Sequence, residues 1–167
     1  MTHQLDEVDR NIIKVVQAQP TITQTDIAKQ VDRSQPTVGM RVERLRKMGL
    51  LQFQAGLNLR VADLFLTLLE IETNHAQEIL KLVKTCPLMI NAFRLSGSKN
   101  VGIILASKDM KYLDKMINHH FRNNPLVKSC LMNFITEILE DLVLPMEFDF
   151  DNCGCPLKDL CIKSWNF

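Results

Sequence analysis

Residues 22–49 read ITQTDIAKQVDRSQPTVGMRVERLRKMG, and the order of residue types in this stretch decides the fold. Thr23 is a helix N-cap residue. Asp26, three positions on, can answer it as a capping box, and Ile22 can staple to Ile27. The spacing predicts a short helix that ends near Gln30. Val31-Asp32-Arg33 forms a tight turn that delivers Ser34 as a second N-cap. Pro36 fits a first helical turn, where its missing N–H would be unpaired in any case. Val38, Val42 and Leu45 then make one apolar stripe, and Gly49 stops the helix. Upstream, Leu5, Val8, Ile12 and Val15 recur at spacings of three and four, widened by Ile13 and Val16, up to Pro20. Three short helices follow. The second and third, joined by a three-residue turn, read as a helix-turn-helix.

The second helix of such a unit lies in the major groove of DNA, with its N-terminal residues at base edges. At 100° per residue, the side of the third helix opposite its apolar stripe carries Pro36, Met40, Glu43, Arg44 and Lys47, flanked by Thr37 and Arg41. Arg41, Arg44 and Lys47 can neutralise phosphates, which positions a protein without specifying sequence. Gln35 and Thr37 can read base edges. The expected DNA-binding set is therefore Ser34, Gln35, Thr37, Met40, Arg41, Arg44 and Lys47. A three-helix unit can also serve as a protein-docking module.

The charge distribution agrees with the DNA reading. The 167 residues carry Lys+Arg 20 against Asp+Glu 19, a near balance that hides segregation. Residues 33–47 hold five basic residues and one acid, whereas residues 137–151 hold six acids and no Lys or Arg. The apolar share of 46% suits a packed protein of one large or two small domains. No apolar run approaches the ~20 residues of a membrane span, and the N-terminus has no secretory pattern. The expectation is a cytoplasmic protein without membrane partners. Five cysteines, an odd number, argue against a disulfide framework there.

Residues 64–145 read as βαββαβ, the split βαβ of a ferredoxin-like sandwich. The strands are Leu64–Thr73, Met89–Leu95, Val101–Ala106 and Val127–Ile138. Between them lie a helix capped by Asn74, with Ala76, Ile79, Leu80 and Val83 inward, and a helix opened by Asp109, with Met110, Leu113, Met116, Ile117 and Phe121 inward. Both faces of the strands are apolar: Leu64, Leu66 and Leu68 oppose Phe65, Leu69 and Ile71, and Val101, Ile103 and Leu105 oppose Ile104 and Ala106. Two helices cover one face, and the chain offers no spare element for the other. A second subunit is the simplest cover, which predicts a homodimer. The fold class is thus α+β: a three-helix winged-type helix-turn-helix domain (1–50), a linker strand (51–63), a ferredoxin-like dimerisation and effector domain (64–145) and an acidic, Cys-containing tail (146–167).

The runs LDEVDRNIIKVVQ, TITQTDIAKQV and DRSQPTVGMRVERLRKMGLL resemble the N-terminal domain of the Lrp/AsnC transcription regulators, in register through residues 5–51. The resemblance implies double-stranded DNA as partner, a ferredoxin-like second domain that pairs through its sheet, assembly up to octamers, and a small-molecule effector. This chain departs from the family at Met40, often Arg, at Gly39, often Ser, and at Asp32, usually Gly. Family effectors bind near a hairpin that commonly reads Gly-Asp-Tyr-Asp. Here that place is Gly97-Ser98-Lys99-Asn100, so Gly97 matches while both acids and the aromatic are gone. A plain hairpin turn is the alternative reading.

The resemblance stops near Pro145. Beyond it, Cys153, Cys155 and Cys161 place three thiols within nine residues. Zinc or an iron–sulfur cluster takes thiolates, usually four, with the fourth donor from Asp151, Asp159, Cys130, Cys86, water or another subunit. A reversible disulfide and an inert tail are the competing readings. Asp149, Asp151 and Asp159 near these thiols predict raised thiol pKa values. No phosphate loop, nucleophile elbow or other catalytic constellation is present, and no enzymatic activity is expected. His119-His120 reads as a helix-end pair with His120 at the rim of the core. The two-domain plan also resembles the siroheme decarboxylases, which act on a tetrapyrrole through His and Arg, but no counterpart of their pattern occurs here. A DNA-free ligand- or protein-interaction module is the remaining alternative.

Overall fold

The computed structural model describes residues 5–165. Contacts divide the chain into two compact units, Met1–Gln54 and Ala55–Phe167.

The first unit holds α1 (Glu7–Ala18), α2 (Gln24–Gln30) and α3 (Gln35–Lys47). Asp6 caps α1 in a reciprocal capping box with Asp9. The Thr23 hydroxyl accepts the Asp26 N–H at 3.2 Å and donates to the Asp26 carboxylate at 2.7 Å, so Asp26 answers the side chain of Thr23. Ser34 caps α3 by accepting the Thr37 N–H. In the turn before it Asp32 adopts φ +51°, a left-handed conformation that Asp tolerates better than most residues. Gly49 at φ +70° ends the helical run. Ile12, Val16, Ile27, Ala28, Val38, Val42, Leu45 and Leu51 form the buried core.

The second unit contains β1 (Leu57–Asn58), β2 (Phe65–Glu72), α4 (Ala76–Val83), β3 (Met89–Arg94), β4 (Val101–Ser107), α5 (Met110–Ile117), β5 (Ser129–Phe134), β6 (Val143–Leu144) and α6 (Lys158–Trp165). A π-helical turn, Asn118–Arg122, prolongs α5. Strands β2–β5 form one antiparallel sheet in the order β3-β4-β2-β5, the ferredoxin-like arrangement expected. Leu69, Ile71, Ile103 and Leu105 pack with Ile79, Leu113, Met116, Ile117 and Phe121 of the helical layer.

The structure corrects several expectations. The linker strand reduces to Leu57–Asn58, which pairs with Val143–Leu144 in a two-residue antiparallel ribbon. The ribbon forms where Gly56 lies against the Leu144 carbonyl group, an approach that leaves no room for a Cβ. The last strand ends at Phe134, because Ile135 and Ile138 turn onto the second face of the sheet. There they join Leu59, Leu66, Ala106, Leu142, Leu144 and Met146 in a small apolar cluster. The chain therefore does supply part of the cover for that face. The remainder is open: Phe93, Leu95 and Leu131 are exposed, and Leu68 and Ile104 are half-buried. His75, not Asn74, holds the cap position of α4, and it does so without a side-chain bond; the Thr73 hydroxyl accepts its N–H at 2.9 Å. Met110 faces outward. The tail packs into the unit, with Phe150, Cys161 and Trp165 buried in the sheet–helix core. Among the described residues no helix is long and apolar enough to cross a membrane.

Candidate nucleic-acid interface and a histidine–cysteine cluster

The α2–turn–α3 unit presents the caps and the exposed face of α3 together. Ser34, Gln35 and Pro36 are exposed at its N-terminus, Thr37 is half-buried, and Met40 is 69% exposed at mid-helix. Gln35 Nε2 donates to Gln24 Oε1 at 3.3 Å. The same Gln24 oxygen would sit 2.9 Å from a Cβ at position 39, so Gly39 lets the two helices cross with Gln24 in place. Lys47 stands out at 75% side-chain exposure, 3.6 Å from Glu43 on the next turn. Arg33 donates to its neighbour's carbonyl, that of Asp32, and Arg46 lies over the Phe53 ring.

Arg41 and Arg44 are placed differently from Lys47. Arg41 Nη1 donates to Asp6 Oδ2 at 2.6 Å and to Asp9 Oδ1 at 2.9 Å, and Arg44 Nη2 donates to Asp9 Oδ2. The Asp9 side chain is 1% exposed, while those of Arg41 and Arg44 are 28% and 49% exposed. One buried carboxylate therefore closes the α1 capping box and ties α1 to α3. The Asp9 N–H and the Arg41 guanidinium hold the Asp6 carboxyl down at about 2. Sequence reasoning missed Asp9. Its signal was an acid inside the otherwise apolar stripe of α1, between Val8 and Ile12.

At the hairpin, the Asn100 side chain accepts the Thr73 N–H at 3.1 Å and donates to the Thr73 carbonyl at 2.7 Å. Lys99 reaches Ser129 and sits 4.0 Å from Glu72. Gly97 and Ser98 remain exposed.

The tail thiols do not assemble as expected. Cys161 is buried in the core, Cys153 and Cys155 are half-buried, and all five cysteines are free. Among the described residues, the group whose donor atoms lie close enough to share an ion is His119, His120 and Cys155, all within 4.8 Å of one another. Cys155 Sγ is 3.3 Å from His120 Nε2. Burial, with the neighbouring tail thiols adding to it, raises the Cys155 thiol and pushes Cys161 up to about 11. The direction agrees with expectation, but the cause is desolvation rather than the aspartates. Burial, with His119 beside it, brings His120 down to about 4. Cys86 and Cys153 line a cleft of about 600 Å³ between the end of α4 and residues 145–153.

These features define the first domain as a helix-turn-helix DNA-binding domain, carried on a second, ferredoxin-like domain. The comparisons agree. A family model described as winged helix-turn-helix DNA-binding matches residues 5–52. A helix-turn-helix-type transcriptional regulator of Pyrococcus horikoshii is 23% identical over 145 residues, which span 80% of this chain and 89% of the relative. Among solved structures, LrpC of Bacillus subtilis superposes with a TM-score of 0.68 at 17% identity, covering 83% of this chain and 99% of LrpC. AsnC of Escherichia coli gives 0.67 at 16% identity, covering 84% and 99%. A regulator of Neisseria meningitidis, solved as its complex with L-methionine, gives 0.66 at 20% identity, covering 85% and 97%. The chain has the Lrp/AsnC fold, and the expectation of a helix-turn-helix DNA-binding domain at its N-terminus is borne out.

Proposed function

We propose that this protein is a sequence-specific regulator that reads the major groove through the N-terminal half of α3. The observation that carries the reading is the doubly capped α2–turn–α3 unit, which leaves Ser34 and Gln35 exposed at the start of α3, Thr37 half-buried beside them and Met40 exposed at mid-helix. Gln35 and Thr37 face base edges, Met40 offers an apolar contact such as a thymine methyl would accept, and Lys47 meets phosphate. Arg44, half-exposed, adds a phosphate contact, whereas Arg41 acts chiefly by fixing α3 on α1.

The open part of the sheet, with Phe93, Leu95 and Leu131, supports dimerisation through that face, and a two-fold pair of α3 helices would read half-sites about one helical turn apart. A small-molecule effector near the hairpin would meet Gly97 and Ser98, since Lys99 and Asn100 are already engaged.

The test is selection from randomised DNA followed by salt-titrated binding. An enriched motif is expected. Lys47→Ala should reduce the log–log salt slope by about 0.9, and Gln35→Ala should relax one motif position. Absence of any enriched sequence would overturn the reading. Leu131→Lys should shift light scattering from dimer to monomer, because an unpaired charge in an interface is expensive.

A further inference from the structure

The proposed function leaves His119, His120 and Cys155 unused. They form a built set: two imidazoles on consecutive residues of a π-helical turn, and one thiol delivered by the tail from 35 positions away. Turns of this type insert one residue into a helix and recur at functional sites. Here both histidines of the turn have a ring nitrogen near one thiol. The rings meet edge to face at 4.7 Å between centroids, so neither blocks the other's lone pair by stacking.

We propose that Cys155, His119 and His120 bind a zinc-class divalent ion that fastens the tail to the end of α5. Tetrahedral zinc with one thiolate and one imidazole separates S from N by about 3.6 Å. The observed Cys155–His120 separation is 3.3 Å, so coordination asks these two donors to move apart by a few tenths of an ångström. All three donor atoms already lie within 4.8 Å of one another. The soft thiolate and two imidazoles select zinc, cobalt or copper over magnesium or calcium, which require oxygen. On binding, the Cys155 thiol loses its proton to solvent and both imidazoles bind neutral. Three protein donors leave the fourth position to solvent, on the side where His119 is exposed.

This differs from a site made of the three tail thiols. Cys161 belongs to the packed core, and Cys153 faces the cleft beside Cys86. The ion joins residues 118–122 to residue 155, closing a loop of chain that includes β5 and β6. Metal would therefore report on, and stabilise, the docked tail.

The experiment titrates Co²⁺ into metal-stripped, reduced, full-length protein while thiolate-to-cobalt absorption is read, and then displaces it with Zn²⁺. One equivalent per chain with a thiolate band is expected, abolished in Cys155→Ser. His119→Ala changes an exposed side chain and leaves the fold intact by far-ultraviolet circular dichroism; it should weaken binding at least tenfold. Cys153→Ser should keep the band. No thiolate band in the native protein overturns the proposal. So does binding that survives His119→Ala unchanged but disappears in Cys153→Ser, which would assign the ion to the tail thiols.

Discussion

Replacing Asp9 with Asn removes one negative charge and little volume from the centre of the first domain. The Asn oxygen can still accept the Asp6 N–H and so keep the cap, which isolates the charge. Two guanidinium contacts are then weakened together. Removing one partner of a fully buried ion pair costs about 3–5 kcal/mol. Arg41 and Arg44 are partly exposed and can rehydrate, and Arg41 keeps Asp6, so the cost falls below that range, to about 2 kcal/mol. That amounts to a roughly 30-fold rise in the population of the open domain. Amide exchange at Val38, Val42 and Leu45, read by mass spectrometry or NMR under conditions where opening equilibrates, should accelerate by that factor. Lys47→Ala should leave the same amides unchanged while lowering DNA affinity. If Asp9→Asn exchanges within twofold of the native protein, the idea that this carboxylate fastens α1 to α3 is wrong.

Other outcomes follow from the same geometry. Asp6 titrates at about 2 in the folded protein against an ordinary 3.8, so its stabilising contribution is complete above the ordinary value and disappears as pH falls through about 2; Asp6→Asn should flatten the acid limb of a stability–pH curve over that interval. Gly56→Ala should destabilise the second domain by about 1–3 kcal/mol, because its Cβ meets the backbone of Leu144 and Pro145 rather than a side chain that can swing away; exchange of the Leu59 amide, which donates to the Leu142 carbonyl, should report it. Burial pushes the Cys86 thiol up to about 12, so alkylation at pH 8 should be slow in the native protein and rise sharply in denaturant, as peptide mass mapping would show.

The helices of the first domain were legible because their signals are local. Caps, a proline and a glycine lie within a few residues of the boundaries they set, and the period of the apolar stripe does the rest. Asp9 was not legible because its meaning depends on Arg41 and Arg44, more than 30 residues away. The sheet order followed from strand count and connection lengths, but Ile135 and Ile138 look like strand continuation until one sees that the second face needs cover. Met110 fits the stripe of α5 by spacing and still faces out, because it stands at the first position of the helix. In the tail, three cysteines suggested one another as partners. Burial separated Cys161 from that set, and the histidines beside Cys155 stand some 35 positions earlier in the chain, beyond the reach of any local pattern.

The ribbon of β1 and β6 has a mechanical consequence. Leu57 faces Leu144 and Asn58 faces Val143, so the strand preceding the sheet and the strand following it run side by side, about 5 Å apart. The chain leading back to the first domain leaves from Leu57, and the chain leading to the tail leaves from Leu144: both leads emerge at the same end of the ribbon. Pulling the two leads apart opens the ribbon like a zipper, one residue pair at a time, rather than shearing both pairs at once. The force needed is the smaller of the two, and the first pair to part is the one beside Gly56.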